Sequence, residues 1–136
     1  MHLHLQRQLS VAIENQPGRL ALLSRLLADR GVNIEGLCII NNVEQGMVRM
    51  IVNDAVAARA ILEHAGFSVI EAEVICLELT DRLGKLAQVT EALGAANVNV
   101  EYAYSTVDHA GARTRMVLKT SHPRKAHTVL AKLQAN

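Results

Sequence analysis

The sequence predicts an α+β protein of two ferredoxin-like βαββαβ repeats with antiparallel sheets, the second of which lacks its last strand. Residues 8–53 and 74–119 align without a gap at an offset of 66 positions. Each segment begins with an alternating apolar stretch, continues with leucines at helical spacing, and ends with two further strand-like stretches. The chain of 136 residues is long enough for two small modules. A module of about 60 residues buries only about 60% of its surface, so we expect the two to share a core or pair their sheets.

The repeat rests on identities and on conservative pairs. Nine of the 44 pairs from Ser10 to Asn53 are identical, where unrelated segments of ordinary composition would share roughly three. The identical pairs are Gly18/Gly84, Leu20/Leu86, Ala21/Ala87, Leu27/Leu93, Val32/Val98, Asn33/Asn99, Glu35/Glu101, Arg49/Arg115 and Met50/Met116. A duplicated unit creates an interface at which a small ligand can bind.

The elements of the first repeat follow from local patterns. Residues 9–14 alternate and predict a strand, and Pro17 suits the first position of the helix that follows. That helix has its leucines on one face and ends at Gly31. The remaining predicted elements are a strand at 34–42 that is apolar on both faces, a turn at 44–46, a strand at 47–53, a helix from Asp54 to His64, and a strand at 67–72.

The second repeat begins almost without a linker. Its predicted elements are strands at 74–80, 99–107 and 113–119 and helices at 83–96 and 122–134. A fourth strand is missing, which would leave a bare sheet edge. The extension at 3–8 has the length to fill that position, in its own chain or in a partner's. We therefore expect domains at 1–72, including the extension, and at 73–136.

Composition limits the classes of function. Half of the residues are apolar but only three are aromatic, so the core is aliphatic. The net charge of +1 gives no electrostatic case for nucleic acid or an anionic membrane. The chain lacks the apolar region of a signal peptide and the run of about 20 apolar residues that a membrane span needs. We expect a cytoplasmic protein in which Cys38 and Cys76 are reduced and buried.

Two motifs resemble those of the ACT domain. The first is LSVAIENQPGRL at 9–20, followed by Gly31-Val32-Asn33-Ile34, and the second is LELTDRLGKL at 77–86, followed by NVNVEY at 97–102. The resemblance covers nearly the whole chain. It implies a non-catalytic regulatory protein that binds a small amino acid at an interface between repeats, without a cofactor or metal. It also implies a homodimer and a possible biosynthetic enzyme as partner.

The resemblance also indicates ligand-binding positions. In the serine-binding version of the domain, ligand contacts come from the Asn before x-Pro-Gly and from the Asn of Gly-Val-Asn-Ile, which match Asn15 and Asn33 here. A His that precedes the first Asn by two residues in that version is Ile13 in this chain. The second repeat has Asp81 in place of Asn15 and Leu83 in place of the proline, and it keeps an asparagine in the second position. The candidate ligand-binding residues are Asn15, Gln16, Pro17, Gly18, Arg19, Leu20, Asn33, Ile34, Asp81, Gly84, Lys85, Leu86, Asn99 and Tyr102.

These residue types suit a zwitterion. A helix start offers unpaired backbone N–H groups to a carboxylate, and a glycine there lets a ligand approach the backbone closely. An asparagine side chain carries both a donor and an acceptor, so it can hold either end of an amino acid without burying a charge.

Several of these residues also have a purely structural explanation. Asn15 and Asp81 can shape their turns, and the other two asparagines can bond neighbouring backbone. Tyr102 and Tyr104 can pack between sheets instead of lining a pocket. The arginines at 49 and 115 can pair with the glutamates at 35 and 101, or clamp a carboxylate.

Two other functions remain open. The chain could be a ligand-free regulatory subunit of an amino-acid biosynthetic enzyme, for example one like acetolactate synthase. It could also be a small acylphosphatase-like enzyme that uses Arg19.

Overall fold

The structure is a computed structural model that describes residues 2–41, 45–80, 83–107 and 113–135. Its elements in chain order are β1 (Leu3–Glu14), α1 (Arg19–Asp29), β2 (Ile34–Asn41), β3 (Gln45–Val52), α2 (Ala55–His64), β4 (Val69–Thr80), α3 (Lys85–Ala95), β5 (Val100–Val107), β6 (Arg113–Thr120) and α4 (Pro123–Ala135). None of the described helices combines the length and apolar character that crossing a bilayer requires.

The chain divides into two compact units. The first module is residues 7–72, and the second module is residues 1–6 together with 73–136. The boundary falls inside β1 and inside β4, so each of these strands supplies residues to both modules.

The first module has an antiparallel sheet in the order β2-β3-β1-β4. Leu9 of β1 lies opposite Met50 of β3, and Leu37 of β2 lies opposite the same methionine. Every second residue of β1 and β3 packs against α1 and α2, because successive strand residues point to opposite faces of a sheet. The core formed in this way is Leu9, Val11, Ile13, Leu23, Leu27, Val32, Val48, Met50, Val52, Ala58, Leu62, Phe67 and Val69.

The second module has a sheet in the order β1-β4-β6-β5, and only the first residues of β1 belong to it. The backbone N–H of Glu78 donates to the carbonyl of His2 at 2.9 Å. Leu3 and Leu5 pack against the second module's core. The N-terminal segment of the same chain therefore occupies the position of the missing fourth strand, and no strand follows α4 in the described residues.

Two pairs of predicted strands are each one strand in the structure. The extension and the predicted strand at 9–14 form β1, and the predicted strands at 67–72 and 74–80 form β4. Because residues 72–74 contain neither glycine nor proline, nothing in the local sequence ends the strand there.

The third strand of the second repeat is paired two residues out of register with the third strand of the first. Leu9 pairs with Met50, but its equivalent Ile75 pairs with Leu118 and not with Met116. The gapless alignment is therefore wrong from the third strand onward, where the offset becomes 68. The connection between the strands is residues 42–44 in the first repeat and the longer 108–112 in the second, and both lie outside the described residues, as does Glu44 of the predicted turn.

The shift by two residues also changes which residues lie opposite the two arginines. Arg49 lies opposite Ser10, whereas Arg115 lies opposite Glu78, so the two are not equivalent positions. Arg115 forms an ion pair with Glu78 at 3.6 Å. The predicted pairing of Arg115 with Glu101 is wrong, because Glu101 pairs with Lys119 at 2.7 Å.

The cysteines are both free thiols, as expected. Cys76 is buried, but Cys38 is only half-buried on β2. The expectation that both are buried is therefore wrong for Cys38, because β2 lies at one end of the strand order and pairs with β3 alone among the described strands.

Candidate functional site

The first turn, residues 15–18, connects β1 to α1 and is exposed throughout. Its backbone is folded by hydrogen bonds from Gln16 N–H to the Glu14 carbonyl at 2.9 Å and from Arg19 N–H to the Gln16 carbonyl at 3.4 Å. Gly18 caps the helix in the left-handed conformation, with φ of +85°. The helix therefore begins at Arg19, and the prediction that Pro17 is its first residue is wrong, because the left-handed glycine separates the proline from the helix.

This geometry leaves backbone donors accessible at the start of α1. The first N–H groups of any helix lack a carbonyl one turn before them. No heavy atom of the described residues lies within 4 Å of the position that a Cβ on Gly18 would take. The side chain of Asn15 makes no hydrogen bond to the described part of the chain. The first turn can therefore offer donors to an anionic group without displacing protein atoms.

The second turn has the same helix start. Gly84 has φ of +87° and caps α3, and its carbonyl accepts from Gln88 N–H at 3.0 Å. An open depression of about 780 Å³ lies beside it, lined by Leu83, Gly84, Lys85, Ala87, Gln88 and Glu91. The candidate Asp81 lies outside the described residues.

The two turns differ in their apolar neighbours. Leu20 packs partly against the first module's core, whereas its equivalent Leu86 is half exposed. Leu83 is fully exposed. Leu20 is therefore accounted for by packing, and the second turn exposes leucines at the two positions where the first has Pro17 and the packed Leu20.

Arg19 is stacked on an aromatic ring. Its guanidinium lies 5.5 Å from the centroid of Phe67, and its Nε is buried without a hydrogen-bond partner among the described residues. The equivalent Lys85 instead points its Nζ to Gln88 Oε1 at 3.4 Å. The charge at the first turn is therefore held in place by packing.

The second pair of asparagines lies where each helix passes into a strand. Asn33 N–H donates to Asn53 Oδ1 at 2.9 Å, and Asn53 N–H donates to the Asn33 carbonyl at 3.2 Å. In the second module Asn99 N–H donates to Ser121 Oγ at 3.0 Å, and Ser121 N–H donates to the Asn99 carbonyl at 2.9 Å. These structural hydrogen bonds are made by the backbones of Asn33 and Asn99. Both residues remain exposed.

Sequence reasoning missed Asn53 and Ser121. Both follow the third strand of their repeat and both have a short side chain with an acceptor oxygen. They are 68 positions apart, so the assumed offset of 66 concealed their equivalence.

The structure does not bring Asn15 and Asn33 together within the first module. They are separated by α1, whose 11 residues span about 16 Å at 1.5 Å per residue. The same separation applies to Gly84 and Asn99, because α3 also has 11 residues. One small amino acid therefore cannot contact both positions of one module.

The remaining candidates are on strands. Ile34 packs against the first module's core. Tyr102 lies opposite Lys119 and is half-buried, and Tyr104 lies opposite Val117 and is buried. For Tyr104 this favours packing over a role in lining an open pocket.

The pKa of Arg59 is raised above its ordinary value, mainly by a hydrogen bond to Glu63 and by the charge of that carboxylate. Arginine is protonated in any case, so this shift changes no charge. The described ranges contain no group of three or more His, Cys, Asp or Glu side chains placed to share a metal ion.

Fold and turns together define a class: paired ferredoxin-like modules, each with a glycine-capped helix start. The family model described as the ACT domain pair matches residues 4–135. The chain therefore belongs to the ACT domain pair family, which confirms the resemblance and the predicted fold class.

Solved structures agree with this fold. A protein from Bacteroides thetaiotaomicron is 31% identical with a TM-score of 0.90, over 97% of this chain and 90% of that one. The ligand-free regulatory subunit of aspartate kinase from Thermus thermophilus is 18% identical with a TM-score of 0.69, over 96% and 95% of the two chains. The corresponding Thermus flavus subunit is 18% identical with a TM-score of 0.67, over 95% and 92%. No curated protein matches at a significant level.

Proposed function

We propose that this chain is a non-catalytic, cytoplasmic regulatory protein that binds a small free amino acid at an interface between ACT repeats. The observation that carries the proposal is the repeated helix start, in which Gly18 and Gly84 have nearly the same left-handed φ. Each places unpaired N–H groups and the positive end of a helix dipole at an open surface, which favours a carboxylate.

The ammonium group of the ligand needs a separate acceptor. Asparagine oxygens can supply it, and the exposed residues Asn15 and Asn33 are the candidates. Because α1 separates them by about 16 Å, we propose that a ligand using both is held by the first turn of one copy and Asn33 of a second copy. Binding would then favour the paired state over separate chains.

A thermal-shift screen against the twenty amino acids tests the proposal. At a ligand concentration of 100 times Kd, the stabilisation should be about 2.7 kcal/mol, which is a shift of several degrees. A flat response to all twenty would overturn amino-acid binding.

Variants then locate the site. Asn15→Ala and Asn33→Ala should each weaken binding roughly ten- to hundredfold, because hydrogen bonds to charged groups contribute about 1.5–3 kcal/mol. Ser24→Ala is the matched control, since its hydroxyl donates to the Ala21 carbonyl of its own helix. Binding that survives both asparagine variants would place the site elsewhere.

A second candidate function is that of a ligand-free regulatory subunit of an amino-acid biosynthetic enzyme. The fully exposed Leu83 and the half-exposed Leu86 favour it, because exposed apolar clusters mark interaction surfaces. The fold is similar to aspartate kinase regulatory subunits, so such a kinase is the first enzyme to test.

The test is co-purification of the enzyme with wild-type chain and with Leu83→Ser/Leu86→Ser, together with the enzyme's activity. Binding that needs both leucines and changes activity, with no response to amino acids, would favour this candidate. Absence of binding by the wild-type chain would count against it.

A further inference from the structure

Arg19 is a half-buried cation that has no anionic partner in the described part of the chain. Its guanidinium lies 5.5 Å from the centroid of the Phe67 ring, and its Nε is buried without a hydrogen bond to the described residues. No carboxylate of those residues lies within 4.0 Å of the guanidinium. A charge that is partly withdrawn from water loses solvation, and an aromatic ring compensates only part of that loss. An anion beside Arg19 would supply the rest.

Other arginines of the chain have such a partner. In five of them a guanidinium nitrogen lies 2.8–4.0 Å from a carboxylate oxygen, namely Arg7, Arg25, Arg59, Arg115 and Arg124. Two of the five, Arg59 and Arg115, are half-buried as Arg19 is. The chain therefore supplies carboxylates to comparable arginines and supplies none from its described residues to Arg19.

The guanidinium of Arg19 lies at the end of the sheet that carries the first turn. Phe67 immediately precedes Ser68, whose carbonyl accepts from Ala12 N–H at 3.3 Å, and β1 ends two residues after Ala12. Arg19 is also the first residue of α1. Because a long side chain on a helix points back toward the helix N-terminus, this charge lies beside the unpaired backbone donors of the same helix start.

The second turn does not reproduce this arrangement. The equivalent residue is Lys85, whose Nζ donates to Gln88 Oε1 on its own helix at 3.4 Å. Lysine is a flexible point charge, whereas the planar guanidinium of arginine matches a carboxylate with two parallel hydrogen bonds. A guanidinium fixed by an aromatic ring is therefore a feature of the first turn.

We infer that Arg19 selects an amino acid with a second carboxylate, which is aspartate or glutamate. The inference rests on the proposed function and names the class of its ligand. The α-carboxylate accepts from the N–H groups at the start of α1, and the side-chain carboxylate accepts from the guanidinium of Arg19. The side-chain amide of asparagine or glutamine has a similar shape but carries no charge to compensate the arginine.

The test is isothermal titration calorimetry of the full chain with aspartate, asparagine, glutamate and glutamine. The wild-type chain should bind at least one acid on the order of ten- to hundredfold more tightly than the corresponding amide, because the amide loses a hydrogen bond between two charged groups. This comparison uses the wild-type chain alone, so it does not depend on the folding of any variant.

Variants then assign the preference to one side chain. Arg19→Gln should give equal affinities for the acid and its amide, and Arg19→Lys should keep part of the preference, because it keeps the charge without the planar fork. Arg30→Gln is the matched control, since Arg30 is exposed at the other end of α1. It removes the same charge and should leave the preference unchanged. Circular dichroism confirms that each variant is folded.

Three outcomes overturn the inference: equal binding of acids and amides by the wild-type chain, a preference that survives Arg19→Gln, or a preference that Arg30→Gln removes as well. Binding of a neutral amino acid without any preference for acids would overturn this inference alone and leave the proposed function standing. The absence of a response to every amino acid would remove the proposed function and this inference together.

Discussion

Single residues hold the junction between helix and strand in each module. Asn53 and Ser121 accept from the backbone of Asn33 and Asn99 and donate back to it. Each closes a pair of hydrogen bonds that would otherwise be left to water.

Replacing Asn53 tests this role. Asn53→Ala should lower the free energy of unfolding by about 0.5–1.5 kcal/mol, because it removes one acceptor for a backbone N–H. Asn53→Ser should lose less, since Ser121 performs the same task with a hydroxyl. Urea denaturation measures both, and equal stability of wild type and Asn53→Ala would show that water replaces the bond.

The two capping glycines are required by conformation and not by space. Gly18→Ala and Gly84→Ala should each cost about 1–2 kcal/mol, because an L-residue in the left-handed region clashes with its own carbonyl. Gly94→Ala is the control: Gly94 lies inside α3 and also has open space, so this change should stabilise by roughly 0.5–1 kcal/mol. The shift in denaturation midpoint distinguishes them, and a loss at Gly94 equal to that at Gly18 would argue that the φ angle is not the cause.

At the scale of elements, the first residues of β1, up to Gln6, belong to the module that is distant from them in sequence. Leu3 and Leu5 pack with residues that follow position 74, and the His2 carbonyl accepts from Glu78 N–H.

Deleting residues 2–6 should therefore weaken the second module selectively. Hydrogen exchange at the Glu78 amide should become faster, because its acceptor is removed. The amide of Ala12, which donates to the Ser68 carbonyl at 3.3 Å within the first module, is the internal control and should be less affected. Unchanged exchange at Glu78 would contradict the assignment of this segment.

At the scale of the whole molecule, β1 and β4 each supply residues to both modules. Each module therefore contains one part of β1 and one part of β4, and the backbone of each strand runs without a break from one module into the other.

We therefore expect one cooperative thermal transition. Calorimetry should give an enthalpy of about 95 kcal/mol, from about 0.7 kcal/mol per residue over 136 residues, with agreement between calorimetric and van't Hoff values. Two resolved transitions would show that the shared strands can separate without unfolding.

Local patterns predicted most of the elements but not how they join. Leucine spacing located α1 and α3, and Asp54, whose side chain accepts from Ala57 N–H at 3.1 Å, was identified as the cap of α2. The helix start at Arg19 was missed, because a sequence does not show that a glycine adopts a positive φ. The two-residue shift at the second hairpin was missed because chance identities at Arg49/Arg115 and Met50/Met116 concealed it.

The sequence predicted which residue types form the candidate site, but it did not predict how they are arranged in space. The turns were recognised from glycine, asparagine and proline at fixed spacing, which are local signals. The distance between Asn15 and Asn33 depends on the length and direction of α1, and the exposure of Leu83 depends on what packs beside it.

The sequence by itself determined that the chain is duplicated, that each copy carries a strand, a glycine turn and an amphipathic helix, and that the family is the ACT domain pair. These features can be recognised from short stretches of sequence, because neighbouring residues determine backbone preference and periodicity. The tertiary structure alone decided that residues 2–6 complete the second module, that two strands continue through both modules, and that the two asparagine positions lie at opposite ends of a helix. Those outcomes depend on which distant apolar surfaces are buried together, and burial selects the strand partner and the register only when distant parts of the chain meet during folding.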